Sequence, residues 1–367
     1  MKDSEHEKYM KMCFDLALKG AGYVSPNPMV GAVLVKNGKI VGKGYHRYFG
    51  GAHAEVNAIN SAGTQANGAD LYVNLEPCSH YGKTPPCVDL IIKKKIKRVI
   101  IATRDPNPLV NGTGIRKLKE AKIEVIENVL KSEAIELNEA FFKFIQKRLP
   151  FVALKIAQTI DAKIADSKSR ARWITSSISR KRVHILRSQY DAVMIGANTV
   201  LIDNPQLTVR LVNGKNPIRV ILDGRFQLSP SYNIFIDAKK VPTFLFVDQL
   251  EYSSKKQKVK LFQSKDVKVI PVRGKNKKIP LKKILKKLYA YNISSVLVEG
   301  GQTLFTEFLK KKLADRAYIF IAPKILGNGL SSVSNNLLRS INNPLELSNL
   351  KIEQISNDIL IQGKIKY

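Results

Sequence analysis

A stretch in the first third of the chain contains a histidine, a glutamate and two cysteines in an order that restricts how the chain can fold. It runs from His53 to Cys87, and Glu55 follows His53 by two residues. Imidazole and thiolate are ligands that zinc prefers, and a catalytic zinc site has three protein ligands and leaves a fourth position open. His53, Cys78 and Cys87 supply three such ligands, so the sequence predicts a fold in which they meet at one metal ion.

The residues around the two cysteines support that interpretation. Cys78 follows Pro77 at the end of a predicted strand, and Cys87 follows Pro86 at the start of a predicted helix, where the helix dipole favours thiolate over thiol. Glu55 can reach a water at the metal and carry its proton to a leaving amine. His-x-Glu followed by Pro-Cys is the known signature of zinc deaminases, although eight residues separate the cysteines here instead of two.

Two other interpretations of the same residues remain open. A structural zinc site normally has a fourth ligand, for which His46 and His80 are the nearby candidates. Alternatively, the two cysteines are buried thiols with no metal. The third cysteine, Cys13, lies on the apolar face of a helix predicted over residues 5–19, which favours a position in the core.

The predicted helices and strands form two series, which indicates two α/β domains. In the first series a hairpin turns at Asn37-Gly38, a helix ends at Gly63, and one helix is predicted over residues 132–148. The pattern starts again after Leu149-Pro150, so the domain boundary is placed at about residue 148. Most strands of the second series are apolar enough to be buried on both faces of a sheet.

The composition is that of a globular protein, but the net charge is +31. Such a charge attracts polyanions such as RNA. The lysines are spread along the chain, however, and in residues 281–288 they lie on the helical face opposite the leucines. A solvated surface is therefore favoured, and no nucleic-acid partner is expected. The N-terminal residues lack the apolar core of a signal peptide, and no apolar run is long enough for a membrane span, so we expect a cytoplasmic protein without a membrane partner.

Four motifs of the first half resemble the deaminase half of bacterial bifunctional riboflavin-biosynthesis deaminase/reductases. They are SPNPMVG at 25–31, GGAHAEVNAI at 50–59, LEPCSHYGKTPPC at 75–87 and ATRDPNPLVNGTG at 102–114. The resemblance implies that residues 1–148 form a cytidine-deaminase-like α/β/α sandwich, which hydrolyses the exocyclic 2-amino group of a phosphoribosylated diaminopyrimidinone. It also implies that His53, Cys78 and Cys87 bind one zinc ion and that Glu55 is the catalytic proton shuttle.

Further polar residues of these motifs are expected to bind that substrate. Asn27 has an amide that can pair with a base edge, and Lys83, in a Gly-Lys-Thr loop, suits a phosphate. The remaining candidates for contacts with the base or the ribose phosphate are His46, Thr84, Asp105 and Asn107. Turn formation is the alternative role, because Asn and Asp before proline commonly start turns.

Five motifs of the second half resemble the reductase half of the same family, in the same order. They are FVALKIAQTIDAKIAD at 151–166, RWITS at 172–176, ANTVLIDNPQLTVR at 197–210, RVILDG at 219–224 and LVEGGQTL at 297–304. The resemblance implies that residues 149–367 form a dihydrofolate-reductase-like α/β domain. It implies that this domain uses NADPH to reduce the ribosyl group of the deaminated compound to ribityl, with hydride delivered to the anomeric carbon.

The same resemblance assigns ligand contacts in the second half. The residues expected to bind substrate are Lys155, Ala171, Arg187, Leu207, Arg210 and Glu299. Those expected to bind NADPH are Ala157, Trp173, Thr199, Asp203, Gly224, Gly301, Gln302, Thr303, Leu304, Phe305, Thr306 and Glu307. Without the resemblance, the residues indicate a dinucleotide site only weakly. The motif G-x-G-x-x-G is missing, and a Gly-Gly turn between strand and helix is only a weak sign of a phosphate site.

Two positions depart from the pattern of that family. The family usually has serine where this chain has Ala171, and glycine where it has Ala162. Loss of a hydroxyl near the substrate weakens binding by about 1 kcal/mol, and loss of the glycine matters if the turn needs a positive φ.

The sequence leaves two competing functions. One is a nucleic-acid deaminase with a basic RNA-binding appendage, and the other is a chain in which one half is only structural. We expect instead an enzyme of both activities, a homo-oligomer that acts on a phosphorylated pyrimidine with zinc and NADPH.

Overall fold

The computed structural model of the chain describes residues 3–81, 85–168, 174–335 and 337–367. These residues form two compact units, Met1–Arg148 and Leu149–Tyr367. Each unit has its own sheets and its own apolar cores. Among the described residues, no helix has the length and apolar character that crossing a membrane requires.

The described part of the N-terminal unit has six α-helices and five strands. The helices are α1 Asp3–Leu18, α2 Ala54–Ala62, α3 Cys87–Lys93, α4 Thr113–Glu120, α5 Lys131–Leu137 and α6 Glu139–Lys147. The strands are β1 Gly31–Lys36, β2 Lys39–Tyr45, β3 Asp70–Val73, β4 Arg98–Ile101 and β5 Glu124–Glu127. The sheet order is β2-β1-β3-β4-β5, in which β1 is antiparallel to both of its neighbours and β3, β4 and β5 are parallel.

Alternate residues of the strands face two different cores, which makes this unit an α/β/α sandwich. Leu34 of β1 packs with residues of α2, α3 and α4, whereas its neighbour Val33 packs with residues of α1 on the other face. The period of two in a strand produces this division. Cys13 of α1 is completely buried in the second core and donates to the Tyr72 carbonyl, as its predicted core position requires.

Glycine lets α2 lie directly on β2. A β-carbon at Gly44 would be 2.3 Å from the backbone nitrogen of Ala58 and 2.5 Å from the carbonyl oxygen of Ala54. No side chain fits into that space, so the first turn of α2 is held against the sheet. The predicted hairpin turn is also confirmed, because Asn37 and Gly38 have φ values of 52° and 73°.

The prediction of a single helix over residues 132–148 is wrong. The structure has two helices, and Asn138 between them has a φ of −109°. The buried side chain of Asn138 accepts a hydrogen bond from the Met29 N–H at 2.8 Å and donates to the Met29 carbonyl at 2.9 Å. Local periodicity does not reveal this break, because the partner of Asn138 is more than a hundred residues away in the sequence.

Seven α-helices and eleven strands make up the described part of the C-terminal unit. The helices are α7 Ser177–Gln189, α8 Ala197–Asp203, α9 Asn233–Ile236, α10 Gln249–Ser254, α11 Lys256–Gln263, α12 Leu281–Ala290 and α13 Gln302–Lys310. The strands are β6 Phe151–Thr159, β7 Lys163–Asp166, β8 Ala192–Gly196, β9 Ile218–Leu222, β10 Thr243–Asp248, β11 Val267–Val272, β12 Ser295–Val298, β13 Arg316–Ala322, β14 Gly329–Ser331, β15 Glu346–Ile355 and β16 Asp358–Lys366.

Nine of these strands form one sheet in the order β11-β10-β9-β8-β12-β6-β13-β16-β15. The strands from β11 to β13 are parallel to one another, and β16 and β15 complete the sheet as antiparallel strands. Helices cover both faces of the parallel part. The carboxyl ends of its strands therefore meet at one edge, where ligands bind in α/β proteins of this kind.

The turn between β6 and β7 has the conformation that would favour glycine. Ala162 has a φ of 61°, and its N–H donates to the Thr159 carbonyl. A left-handed conformation costs a residue with a β-carbon roughly 1–2 kcal/mol. The alanine at this position therefore destabilises the turn but still forms it.

Replacing Asn138 by alanine should destabilise the N-terminal unit by about 1–3 kcal/mol, because the Met29 N–H would lose its partner and the Met29 carbonyl would keep only the hydrogen bond from Nδ2 of Asn74. Urea unfolding followed by circular dichroism measures the change. Asn60, an exposed residue of α2, provides the control, and its replacement by alanine should change the free energy of unfolding by less than about 0.5 kcal/mol. Equal effects of the two substitutions would contradict the role given to Asn138.

Candidate active sites

His53, Cys78 and Cys87 meet at the edge of the sheet in the N-terminal unit. His53 precedes the first residue of α2, Cys87 is the first residue of α3, and Cys78 lies in the loop after β3. Nδ1 of His53 is 3.5 Å from Sγ of Cys78 and 3.3 Å from Sγ of Cys87. The three candidate ligand atoms all lie within 4.8 Å of one another.

These separations fit a tetrahedral zinc site. With zinc–sulfur bonds of about 2.3 Å and zinc–nitrogen bonds of about 2.0–2.1 Å, the nitrogen and sulfur ligands of one ion lie about 3.6 Å apart. No fourth His, Cys, Asp or Glu ligand belongs to this group in the described part of the chain. A structural site with four such ligands is therefore not what these residues form.

The charges of the three ligands depend on one another. The backbone N–H of Cys87 donates to Sγ of Cys78 at 3.3 Å. Hydrogen bonding from Cys87, together with that from His53, lowers the pKa of the Cys78 thiol to about 4. The hydrogen bond to Cys78 in turn raises the pKa of His53 to about 9. The site therefore already favours a thiolate, which is the form of cysteine that binds metals.

Glu55 lies beside the three ligands in a cavity of about 330 Å³. Its side chain is 3% exposed, and burial raises the pKa of its carboxyl group. A carboxyl group with a raised pKa exchanges a proton near neutral pH more readily than an ordinary glutamate. Glu55 thus has both the position and the acidity of a proton carrier.

Four of the predicted substrate contacts line the same cavity. They are Asn27, His46, Asp105 and Asn107. The side chains of Asn27 and His46 are 3.3 Å apart, and His46 is held by the Ala52 carbonyl at 3.1 Å. Burial raises the pKa of Asp105 to about 7. Two further predicted contacts, Lys83 and Thr84, lie outside the described residues.

Glu76 is the residue of this site that the sequence analysis missed. Its buried carboxylate accepts hydrogen bonds from the backbone N–H groups of Asp105, Gly112, Gly114 and Ile115 at 2.9–3.3 Å. It therefore holds the loop that bears Asp105 and Asn107, and it caps α4. The position within LEPC, one residue before Pro77, gives no local sign of these partners.

A second group of charged side chains lies around the carboxyl end of β12, a central strand of the C-terminal sheet. Both oxygens of the Glu299 carboxylate accept from Arg187, at 2.5 and 3.0 Å, and Nζ of Lys155 is 3.5 Å from Glu299. Burial opposes the charge of Glu299, but Arg187 and Lys155 outweigh it and lower the pKa to about 2. Burial also lowers the pKa of Lys155. The group has two cations and one anion, so it can bind a further anion.

Most predicted ligand contacts of this unit line one cavity of about 1,090 Å³. The predicted substrate contacts there are Lys155, Arg187, Leu207 and Glu299. The predicted NADPH contacts there are Ala157, Thr199, Asp203, Gly224, Gly301, Gln302, Thr303, Leu304, Phe305 and Glu307. Gly301 precedes α13, so the predicted passage from strand to glycine pair to helix is confirmed.

Two predicted contacts lie away from the cavity wall. The side chain of Thr306 is buried and bonded to the Gln302 carbonyl and the Ser334 N–H, which is a structural role. Arg210 has an exposed side chain, and its backbone N–H donates to Nδ1 of His184 at 3.0 Å. Ala171 and Trp173 lie outside the described residues. The cavity also has a basic wall that the sequence analysis did not single out, and its residues are Lys277, Lys278 and Lys282.

Two family descriptions match the two units of the chain. Residues 3–103 match the cytidine and deoxycytidylate deaminase zinc-binding region, and residues 150–361 match the RibD C-terminal domain. The riboflavin biosynthesis protein RibD of Aquifex aeolicus is 46% identical over 97% of both chains. This chain belongs to the RibD family. RibD of Escherichia coli is 35% identical over 88% of this chain and 89% of its own length.

Solved structures of RibD proteins extend this similarity to the whole fold. A deaminase/reductase of Thermotoga maritima is 42% identical with a TM-score of 0.88, and RibD of Acinetobacter baumannii is 33% identical with a TM-score of 0.89. Both comparisons cover 100% of each chain. The protein is thus a bifunctional enzyme of riboflavin biosynthesis with a deaminase domain and a reductase domain, and both α/β domains predicted from the sequence are confirmed.

The depressed pKa of Glu299 predicts how the stability of the protein depends on pH. Because the folded-state pKa of about 2 lies below the ordinary value of about 4.3, the ion pairs stabilise the fold fully above pH 5. That stabilisation, about 3 kcal/mol by linkage, should be lost progressively as the pH falls from 5 towards 2.

Urea unfolding at several pH values, in wild type and in Glu299→Gln, measures this effect as a difference. The advantage of the wild type should shrink as the pH falls below 5. Glu346→Gln, at an exposed glutamate of β15, should show no such trend. A difference between wild type and Glu299→Gln that stays constant from pH 6 to pH 3 would contradict the assignment.

Proposed function

We propose that the chain catalyses two successive reactions, one in each unit. The first is the hydrolytic deamination of 2,5-diamino-6-(5-phosphoribosylamino)pyrimidin-4-one. The second is the NADPH-dependent reduction of the ribosyl group, which yields 5-amino-6-(5-phosphoribitylamino)uracil. The similar protein of Thermotoga maritima is a diaminohydroxyphosphoribosylaminopyrimidine deaminase and 5-amino-6-(5-phosphoribosylamino)uracil reductase, which supports both substrates.

The observation that carries the first reaction is the convergence of His53, Cys78 and Cys87 next to the buried Glu55. The three residues would hold one zinc ion, which, when bound, makes a water molecule nucleophilic near neutral pH. Glu55 takes a proton from the attacking water and delivers it to the exocyclic nitrogen, so that ammonia leaves. Asn27, with His46 beside it, suits the edge of the pyrimidine.

The second reaction is supported by the volume of the C-terminal cavity and by the charged side chains that line it. Lys155 and Arg187 suit the phosphorylated sugar, and Glu299 can accept hydrogen bonds from its hydroxyls. The glycines before α13 allow a close approach of phosphate groups to the backbone N–H groups of that helix. Hydride transfer itself is the chemistry of NADPH, and the residues of the cavity hold the nicotinamide and the anomeric carbon together.

The same proposal describes the state of the enzyme in the cell. It would be a cytoplasmic homo-oligomer whose partner is a phosphorylated pyrimidine. A separate role as a nucleic-acid deaminase is not favoured, because residues 150–361 match a RibD domain where that hypothesis needs an RNA-binding appendage.

Glu55→Gln should release ammonia about 10²- to 10⁴-fold more slowly than wild type, because the amide does not carry the proton. Zinc content should stay near one ion per chain by elemental analysis, since Glu55 is not a ligand. Glu120→Gln, at an exposed glutamate of α4, is the control and should keep the wild-type rate. Ammonia release at the parent rate in Glu55→Gln would remove the deaminase assignment.

Lys155→Met should lower the rate of NADPH oxidation by about 10²-fold or more, because it removes a buried charge that faces the sugar phosphate. Ammonia release should be unchanged, since Lys155 belongs to the other unit. Lys239→Ala, at an exposed lysine, serves as the control for both assays. Equal loss of the two activities in Lys155→Met would show that the two sites are not independent.

A further inference from the structure

The large cavity of the C-terminal unit has cations at two places. Lys155 and Arg187 lie at one, and both are close to the carboxylate of Glu299. The basic wall of Lys277, Lys278 and Lys282 is the other. The proposed reduction uses the first group but gives the basic wall no role.

The order of the strands separates the two groups of cations along the sheet, so a long ligand could contact one group with each of its ends. Lys155 belongs to β6 and Glu299 follows β12, whereas Gly224 follows β9 and contacts the basic wall. Three strand spacings separate β6 from β9, which is about 14 Å. A dinucleotide whose reactive end lies near Lys155 and whose phosphates pass Gly301 would therefore reach the basic wall with its adenosine end. This step rests on the proposed use of NADPH.

The backbone of the basic wall is held in place by a tight turn. Lys275 and Lys278 exchange backbone hydrogen bonds of 3.2 and 3.0 Å, and Asn276 and Lys277 between them have φ values of 51° and 59°. A β-carbon at Gly224 would lie 2.0 Å from the carbonyl oxygen of Lys277. The turn thus packs on the residue after β9, and its lysines have a fixed position relative to the sheet edge.

The lysines of the wall differ in their partners. Nζ of Lys277 lies 2.7 Å from the Glu251 carboxylate, which also binds Lys255 at 2.6 Å. This pair neutralises Lys277 and ties the turn to α10. Lys278 and Lys282 form no ion pair within the described ranges of the chain. The cavity is therefore lined by two lysines that have no carboxylate partner among the described residues.

We propose that Lys278 and Lys282 bind the 2′-phosphate of NADPH and so select this cofactor over NADH. The two dinucleotides differ only at that position, where NADH has a neutral hydroxyl group. A phosphate dianion between two ammonium groups gains charge-assisted hydrogen bonds that a hydroxyl does not. Lys277 is a positioning residue, because its pairing with Glu251 fixes the turn that presents Lys278.

Binding measurements on a double variant test this proposal without depending on turnover. Isothermal titration and nicotinamide fluorescence would give the dissociation constants of NADPH and NADH for wild type and for Lys278→Ala/Lys282→Ala. We expect the variant to bind NADPH about 10- to 100-fold more weakly and NADH within about twofold of wild type. In Lys278→Arg/Lys282→Arg the preference for NADPH should be retained.

The control removes two charges from the solvent side of α12, the helix to which Lys282 belongs. Lys286→Ala/Lys287→Ala changes exposed lysines of α12 that do not line the cavity, and it should leave both dissociation constants unchanged. If NADPH binding were weakened equally in the two double variants, the effect would be a general one of net charge, and the proposal would be overturned. Glu251→Gln should weaken the binding of NADPH but not that of NADH, because the turn that presents Lys278 would be less well fixed.

The outcome for the wild type separates this inference from the function on which it rests. A wild-type protein that prefers NADPH, together with a Lys278→Ala/Lys282→Ala variant that keeps the preference, would overturn the role of the lysines alone. A wild type that binds NADH as tightly as NADPH would also overturn this inference and leave the reductase assignment in place. A wild type that binds neither dinucleotide would overturn both.

Discussion

The chemistry of the N-terminal unit depends on two helices that begin at the same edge of one sheet. His53 precedes α2 and Cys87 begins α3, and both helices pack on the same apolar core over β1 and β3. The core thus sets the distance between imidazole and thiolate before any metal binds. Glu76 fixes a further part of the site, because its carboxylate holds the loop of Asp105 and Asn107, which also lines the cavity.

The site of the C-terminal unit depends instead on charged groups that are largely shielded from solvent and paired with one another. Lys155 of β6, Arg187 of α7 and Glu299 after β12 share one site, and each charge is tolerated there only because of the others. The parallel sheet brings together residues that are far apart in the sequence. In the proposed function, the cavity that these residues line takes both the sugar phosphate and the dinucleotide.

Much of this arrangement was predictable where the signal is local. The hairpin at Asn37-Gly38, the glycine pair between a strand and α13, and the ligands around Cys78 follow from turn chemistry and residue spacing. The break at Asn138 was not predictable, because a backbone partner distant in the sequence produces it. The long edge strand β15 was missed for another reason: most of its side chains are exposed, so the apolar alternation that marks a strand is weak there.

The contact between Gly44 and α2 affects how variation in this enzyme should be interpreted. Gly44 has no functional group and lies in a strand, yet a methyl group there would push against the backbone of the helix that His53 begins. A variant at Gly44 would therefore lose activity as if a catalytic residue had been replaced, although the cause is the volume of the added side chain. What Gly44 contributes to the site is the absence of a side chain.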